Sequence, residues 1–392
     1  MNQVVLKAGK EKRIKAGHLW IYQGEIGIIG IGVKSGDVVE ALDNRGRFLG
    51  VGYYNQASQI AVRLLTTNRE TIDENFFRSR LQKALEYRSR LKPGASSYRL
   101  VFGEGDLLPG LIVDKFEDYL VAQFLTMGME VNREMIIRLL AELCDPKGII
   151  ERSDLHVRHL EDLPERSGCV YGDCPPSVLI RDNGLKFRVD LLEGQKTGYF
   201  LDQSANRAVL ERYVQGKKVL DCFCHVGSFA IHAASYGASS VLGVDISEDA
   251  IHMAVENATL NGLDNVCKFK VANVFDFLRD EVGNKAEYDL VILDPPAFTK
   301  SKQALEGAVR GYKEINLRAL KLLKPGGILI TCSCSHHLTP DLFWEIMIAA
   351  AADNKKRLHL LERRTQGLDH PVLVGVTETE YLKCFIFEVV SS

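Results

Sequence analysis

Five short stretches carry residue types that could do chemistry: LDCFCHVGSFA (220–230), GVDIS (243–247), VANVFDFL (271–278), LDPPAF (293–298) and LITCSCSHH (329–337). Each closes an apolar run with Asp, Asn or Cys. Asp221 and Asp245 point to a nucleoside-containing cofactor, because an acidic side chain at the end of a strand can accept both hydroxyls of a ribose. Gly227, in a turn ahead of an expected helix, lets helix N-terminal amides approach such a group. The full G-x-G-x-x-G pattern is absent, so a dinucleotide is weakly supported. A plainer role for Asp245 is to cap a helix over 248–261. Asn273 could bond a base edge or close a turn. Asp294 is a carboxylate displayed rigidly by two prolines, neither of which has an N–H for a ladder; it could bond the amidine edge of a base. Cys332 and Cys334 admit three readings: small core residues, metal ligands together with His336 and His337, or a thiolate nucleophile.

The elements that must position these residues read as strands alternating with helices. The strands are KKVLDCF, SVLGVDIS, VCKFKVAN, YDLVILD and GGILITCSC, and the alternation runs to about residue 350. It predicts a doubly wound, mostly parallel sheet, in which ligands bind beyond the carboxyl ends of the strands. Residues 1–72 give short β-like runs broken by Gly, Asn and Asp, the pattern of a small barrel or sandwich. A helix over 73–91 stops at Lys92-Pro93-Gly94. Residues 98–190 read as a compact α+β module, and 185–203 as a hairpin.

The chain has 392 residues, 46% apolar and 26% charged, enough for two or three cores. A formal net charge of −2 excludes a uniformly basic nucleic-acid binder, although Lys and Arg outnumber Asp and Glu in residues 1–70. Nine cysteines at irregular spacing do not read as a disulfide framework, so reduced thiols are expected. With no apolar segment behind the N-terminus and no membrane-length run, a cytoplasmic protein is expected.

In this order, LDCFCHVGSFA, GVDIS, VANVFDFL, LDPPAF and LKPGGILITCSCSHH, with EGQKTGYFLDQSANR and KAGHLWIYQGEI ahead of them, the chain resembles the S-adenosylmethionine (SAM)-dependent 23S ribosomal RNA methyltransferases of the large subunit methyltransferase I type, which make 5-methylcytosine. The resemblance spans nearly the whole chain. It implies an α/β fold: a Rossmann-like SAM methyltransferase sheet at 191–392, an N-terminal β-barrel PUA domain at 1–72 that binds RNA, and a central α+β module with its linker helix at 73–190. It carries cofactor roles to Gln195, Lys196, Thr197, Tyr199, Asp221, Asp245 and Asn273, and Gly227 and Asp294 are expected at the same cofactor site. The implied partner is RNA, either 23S ribosomal RNA or its large-subunit precursor, and a homodimer is left open. Two departures stand out: His225 occupies a turn position where small or aromatic residues are common, and Ala297 stands where many two-cysteine RNA cytosine methyltransferases carry a second cysteine.

Methylating carbon 5 of cytosine needs a thiolate to add first at carbon 6. Cys334 is the expected nucleophile and Asp294 the expected partner of the base edge. Side chains alternate along a strand, so Cys332 and Cys334 are expected on one face, with Cys334 nearer the crevice by roughly 6–7 Å. The target base must be flipped or single-stranded. The alternative is SAM-dependent methylation of an exocyclic base amine in RNA or DNA through DPPAF, with Phe298 stacking on the base. A non-enzymatic RNA-binding module would leave the strand-end carboxylates without a role.

Overall fold

The computed structural model describes residues 2–192, 194, 197–299 and 302–390. The chain forms two compact units. The first comprises Met1–Ile180, Val189–Asp202 and Leu368–Thr379; the second comprises Arg181–Arg188, Gln203–Gly367 and Glu380–Ser392.

The first unit holds two sheets. One has six strands in the order Trp20–Ile21, Val62–Thr66, Phe48–Tyr54, Val38–Leu42, Asn2–Leu6, Ile26–Ile29, all antiparallel except the pairing of Asn2–Leu6 with Val38–Leu42. Val4, Ile21, Val39, Val62 and Leu64 fill its core together with Val376 from the far end of the sequence. The helix Glu74–Leu91 starts where the sequence places it, with Asp73 accepting from the Phe76 N–H. Five strands follow in the order Arg166–Gly172, Gly148–Ser153, Tyr119–Phe124, Leu111–Phe116, Ser97–Phe102.

The stretch 185–203 corrects its sequence reading. Leu185–Asp190 pairs with the preceding strand Ser177–Asp182 through Asn183-Gly184, both at positive φ, and past Asp190 no described residue joins a strand before Lys218. Asn-Gly is the stronger hairpin signal, and it lies upstream of the expected turn.

The second unit is the doubly wound sheet. Its elements are β1 (Lys218–Cys222), α1 (Ser228–Ser235), β2 (Ser240–Asp245), α2 (Glu248–Leu260), β3 (Cys267–Val271), α3 (Val274–Gly283), β4 (Tyr288–Leu293), α4 (Leu305–Leu322), β5 (Leu323–Ser333), α5 (Pro340–Asp353), β6 (Arg357–Arg364) and β7 (Lys383–Val390). The order is β3-β2-β1-β4-β5-β7-β6, with β7 antiparallel to both of its neighbours and the other pairings parallel. The inner strands are unbroken apolar runs because helices cover both faces. Ser247, Asn273 and Thr339 each cap a helix by accepting a backbone N–H. The winding direction reverses between β1 and β4, which opens a crevice beyond their carboxyl ends. Beyond residue 350 the sequence reading assigns no strand, so it misses β6 and β7.

Candidate active site

At the end of β1, Asp221 is fully buried, and its Oδ2 accepts from the Ala230 N–H in the first turn of α1 at 2.9 Å. Its Oδ1 is also buried and has no partner among the described residues. Burial, then the Asp294 and Asp245 carboxylates, push Asp221 well above the usual carboxylate range. These three acidic groups, from the ends of β1, β2 and β4, therefore share one electrostatic neighbourhood. The turn between β1 and α1 is tight: Phe223, His225 and Gly227 take φ of 62°, 49° and 76°. A Cβ on Gly227 would lie 3.0 Å from the Ala254 Cβ and the Phe269 ring, so only glycine lets the turn close on α2 and β3.

Asp245 is half-buried at the end of β2. Its Oδ2 accepts from the His225 N–H at 2.9 Å and its Oδ1 from the Ser247 N–H at 3.0 Å. Two backbone amides thus orient the carboxylate, and each oxygen keeps a second lone pair. The cap of α2 is Ser247, whose hydroxyl accepts from the Ala250 N–H. Asn273 is exposed and caps α3 by accepting from the Phe275 N–H at 2.9 Å.

Asp294 follows β4 and is held by Gln203, whose Nε2 donates to Oδ1 at 2.9 Å. Gln203 is in turn oriented by Asn206, which donates to its Oε1 at 2.7 Å. Phe298, at the end of the DPPAF stretch, is packed into a protein cluster, its ring 4.6 Å from that of Tyr312 and 5.7 Å from that of Phe275.

The two cysteines of the CSCS stretch differ in burial. β5 ends at Ser333, one residue before Cys334. Cys332 is fully buried opposite Cys384 of β7, and its contact with that thiol, together with burial, pushes its own thiol well up. Cys334 lies past the strand, half-buried, with its thiol 3.9 Å from the Pro295 carbonyl oxygen. The serines on either side hold it. Ser333 donates to the Tyr312 hydroxyl at 3.0 Å, and the Ser335 and Tyr312 hydroxyls share a bond at 3.0 Å.

Of the residues singled out from the sequence, the structure gathers Asp221, Asp245 and Asp294 at the crevice, with Gly227 in its turn and Cys334 beside Pro295. Thr197 and Tyr199 belong to the first unit, where both are buried; the Thr197 hydroxyl donates to Asp114 at 2.5 Å. Gln195 and Lys196 lie outside the described residues. Sequence reasoning missed Gln203, which lies within the quoted FLDQ, and Tyr312 and Lys383. A signal existed for Lys383, because CFIFEVV directly after it is a strand-like apolar run. The expectation of reduced thiols also needs correction: Cys169 and Cys174 form a disulfide, their Cα atoms 5.8 Å apart where the chain turns back.

Residues 154–388 match the family model described as S-adenosylmethionine-dependent methyltransferase, and residues 4–67 match a PUA-like domain. A protein of Tolumonas auensis named ribosomal RNA large subunit methyltransferase I is 42% identical over 99% of both chains. An Escherichia coli protein of the same name is 40% identical over 99% of both. The chain belongs to the ribosomal RNA large subunit methyltransferase I family. Among solved structures, a chain from Streptococcus mutans described as a SAM-dependent methyltransferase superposes with a TM-score of 0.85 over 99% of this chain and all of that one, at 23% identity. A methyltransferase complexed with SAH gives 0.87 over the same shares, also at 23%. The family cofactor is SAM, a nucleoside carrying a sulfonium and an ammonium group. The crevice suits it, since the Asp245 and Asp294 carboxylates attract a cation and Asp221 keeps a buried oxygen with no partner among the described residues. Among the described residues no helix is long and apolar enough to cross a membrane, and no group of three or more His, Cys, Asp or Glu is placed to hold a metal ion.

Proposed function

We propose that this methyltransferase forms 5-methylcytosine in 23S ribosomal RNA, with Cys334 as the nucleophile. The observation that carries this reading is the contrast between the two thiols: Cys334 is half-buried beside the peptide that follows Asp294, while Cys332 is sealed inside the sheet. The names of the full-length relatives support ribosomal RNA as the substrate.

In this reading Asp245 accepts from the ribose hydroxyls of SAM, and Asp221 and the turn at Gly227 line the remainder of its site. Asn273 borders the adenine. Bound there, SAM supplies an electrophilic methyl group. The Cys334 thiolate would add to carbon 6 of cytosine, and the electron pair released toward carbon 5 would take that methyl as its bond to sulfur breaks and S-adenosylhomocysteine leaves. Asp294, its Oδ1 fixed by Gln203, accepts from the amino group on the N3 and amino edge of the base, and from N3 once that nitrogen takes up a proton as charge develops there. Loss of the carbon 5 proton to a base then expels the Cys334 thiolate and restores the ring. Amine methylation would use Phe298 as a stacking surface, yet that ring already packs on Tyr312, and Cys334 would have no role.

The test is RNA carrying 5-fluorocytosine at the target, where the last proton loss is blocked. Wild type and Cys332→Ala should trap a covalent adduct in the presence of SAM, and Cys334→Ala should not. Trapping by Cys334→Ala would overturn the assignment.

A further inference from the structure

Lys383 opens β7 directly opposite Ser333, the last residue of β5. Its side chain is buried, and its ammonium donates to the carbonyl oxygens of Ser335 and Tyr381, both at 2.8 Å. Both partners are neutral, and no carboxylate forms an ion pair with Lys383 among the described residues. A buried ammonium in that position is costly, because carbonyl dipoles replace hydration only in part. Burial accordingly lowers Lys383 to about 8, while the negative charges of Cys334 and Glu380 oppose the fall. One of its two clamps is the carbonyl of the residue after Cys334. The cation is thereby fixed alongside the cysteine by the backbone itself.

We propose that Lys383 is the positioning cation that holds Cys334 as a thiolate. The inference rests on the reading of Cys334 as the nucleophile. Two other groups near the thiol do not favour its anion. Asp294, at the end of β4, precedes the carbonyl that receives the thiol and carries a like charge. Tyr312, from α4, is pushed up to about 12 by burial and stays neutral. His336, exposed, and His337, half-buried, continue the same loop where solvent screens them, and Glu380 faces Lys383 rather than opposing it. With Lys383 in place the thiol proton leaves to solvent and a neutral ammonium–thiolate pair remains. When the sulfur bonds to carbon 6, the negative charge passes into the base.

The experiment is the pH profile of Cys334 alkylation by iodoacetamide in the full-length protein without RNA or SAM, resolved by peptide mass spectrometry. Lys383→Met should move the midpoint upward by about one pH unit or more, and so slow alkylation at neutral pH about tenfold. Lys383→Arg should restore most of the wild-type profile. An unchanged or lowered midpoint in Lys383→Met overturns the proposal. If that variant does not fold, the reciprocal measurement decides: in Cys334→Ser the Lys383 ammonium, followed by NMR of labelled lysine Cε, should titrate lower than in wild type, and an unchanged titration is equally fatal. The adduct trap reports separately on the nucleophile. A failed trap with a shifted alkylation profile would sink the catalytic reading and leave the ion pair standing.

Discussion

Arg88 and Arg158 are fully buried in the first unit, and each meets a carboxylate: Arg88 is bonded through both terminal nitrogens to Asp106, and Arg158 lies 3.0 Å from Glu130. Asp221 and Lys383, at the carboxyl edge of the second unit's sheet, are buried to a similar degree and have no counter-ion of this kind among the described residues. The first arrangement is what a stable fold requires, since a buried charge is tolerated when it is paired and hydrogen-bonded. The second stores unmet electrostatic demand beside the crevice. In the proposed reading a cationic cofactor and a reactive thiolate would meet it, and the difference would then separate charges that hold the fold from groups that serve the chemistry.

The largest effect expected lies at the thiols. Cys334→Ala should lower methyl transfer by at least about a thousandfold, as removal of a nucleophile does, while Cys332→Ala should stay within about tenfold of wild type, both measured with labelled SAM. Next comes the structural side of the comparison. Asp106→Ala strands the Arg88 guanidinium and should cost about 3–5 kcal/mol, read from the denaturant midpoint. Survival of that midpoint would erase the distinction between the two regions. Asp245→Ala should weaken SAM binding by about tenfold in calorimetry, in line with ~1.5–3 kcal/mol for a charge-assisted hydrogen bond, without moving the midpoint comparably.

Smaller effects are expected at the periphery. Lys10 and Lys12 are exposed in the PUA-like domain, and reversing both to Glu should weaken RNA binding several-fold and flatten its salt dependence. Substitution is cleaner than deleting residues 1–72, because Val376 packs into the core of that domain and would lose its cover. The smallest concerns Asp221. Its folded value is raised, so the stability it contributes is complete below the unfolded carboxylate range near 4 and declines as pH rises through the folded value. Asp221→Asn keeps an acceptor for the Ala230 N–H and removes the titration. The variant should therefore lose less stability than wild type as pH rises, measured by denaturation between pH 5 and 9. A parallel decline in the two proteins would show that Asp221 ionises freely despite its burial.

Much of the second unit was legible because its signals are local. Apolar runs alternating with amphipathic segments imply the winding of β1 to β5, and the rule that ligands gather at carboxyl ends directs attention to Asp221, Asp245 and Asp294. Asn273 was ambiguous for a local reason too, since one side chain can cap a helix or face a ligand, and the geometry shows the cap.

What the sequence determined by itself, then, was the family, the kind of sheet and the carboxylates at its edge, because residue type, spacing and hydrophobic period are properties of neighbouring positions. Only the tertiary structure decided how the cysteines differ. Cys332 pairs with Cys384 of β7 and is sealed inside the sheet, while Cys334 lies one residue past the end of β5, half-buried beside Pro295. β7 enters antiparallel between β5 and β6 and brings Lys383 to Ser335 from far along the chain. Gln203 reaches Asp294 in the same non-local way. Burial, ion pairing and the orientation of a carboxylate depend on groups distant in sequence, and they exist only once the chain has closed on itself.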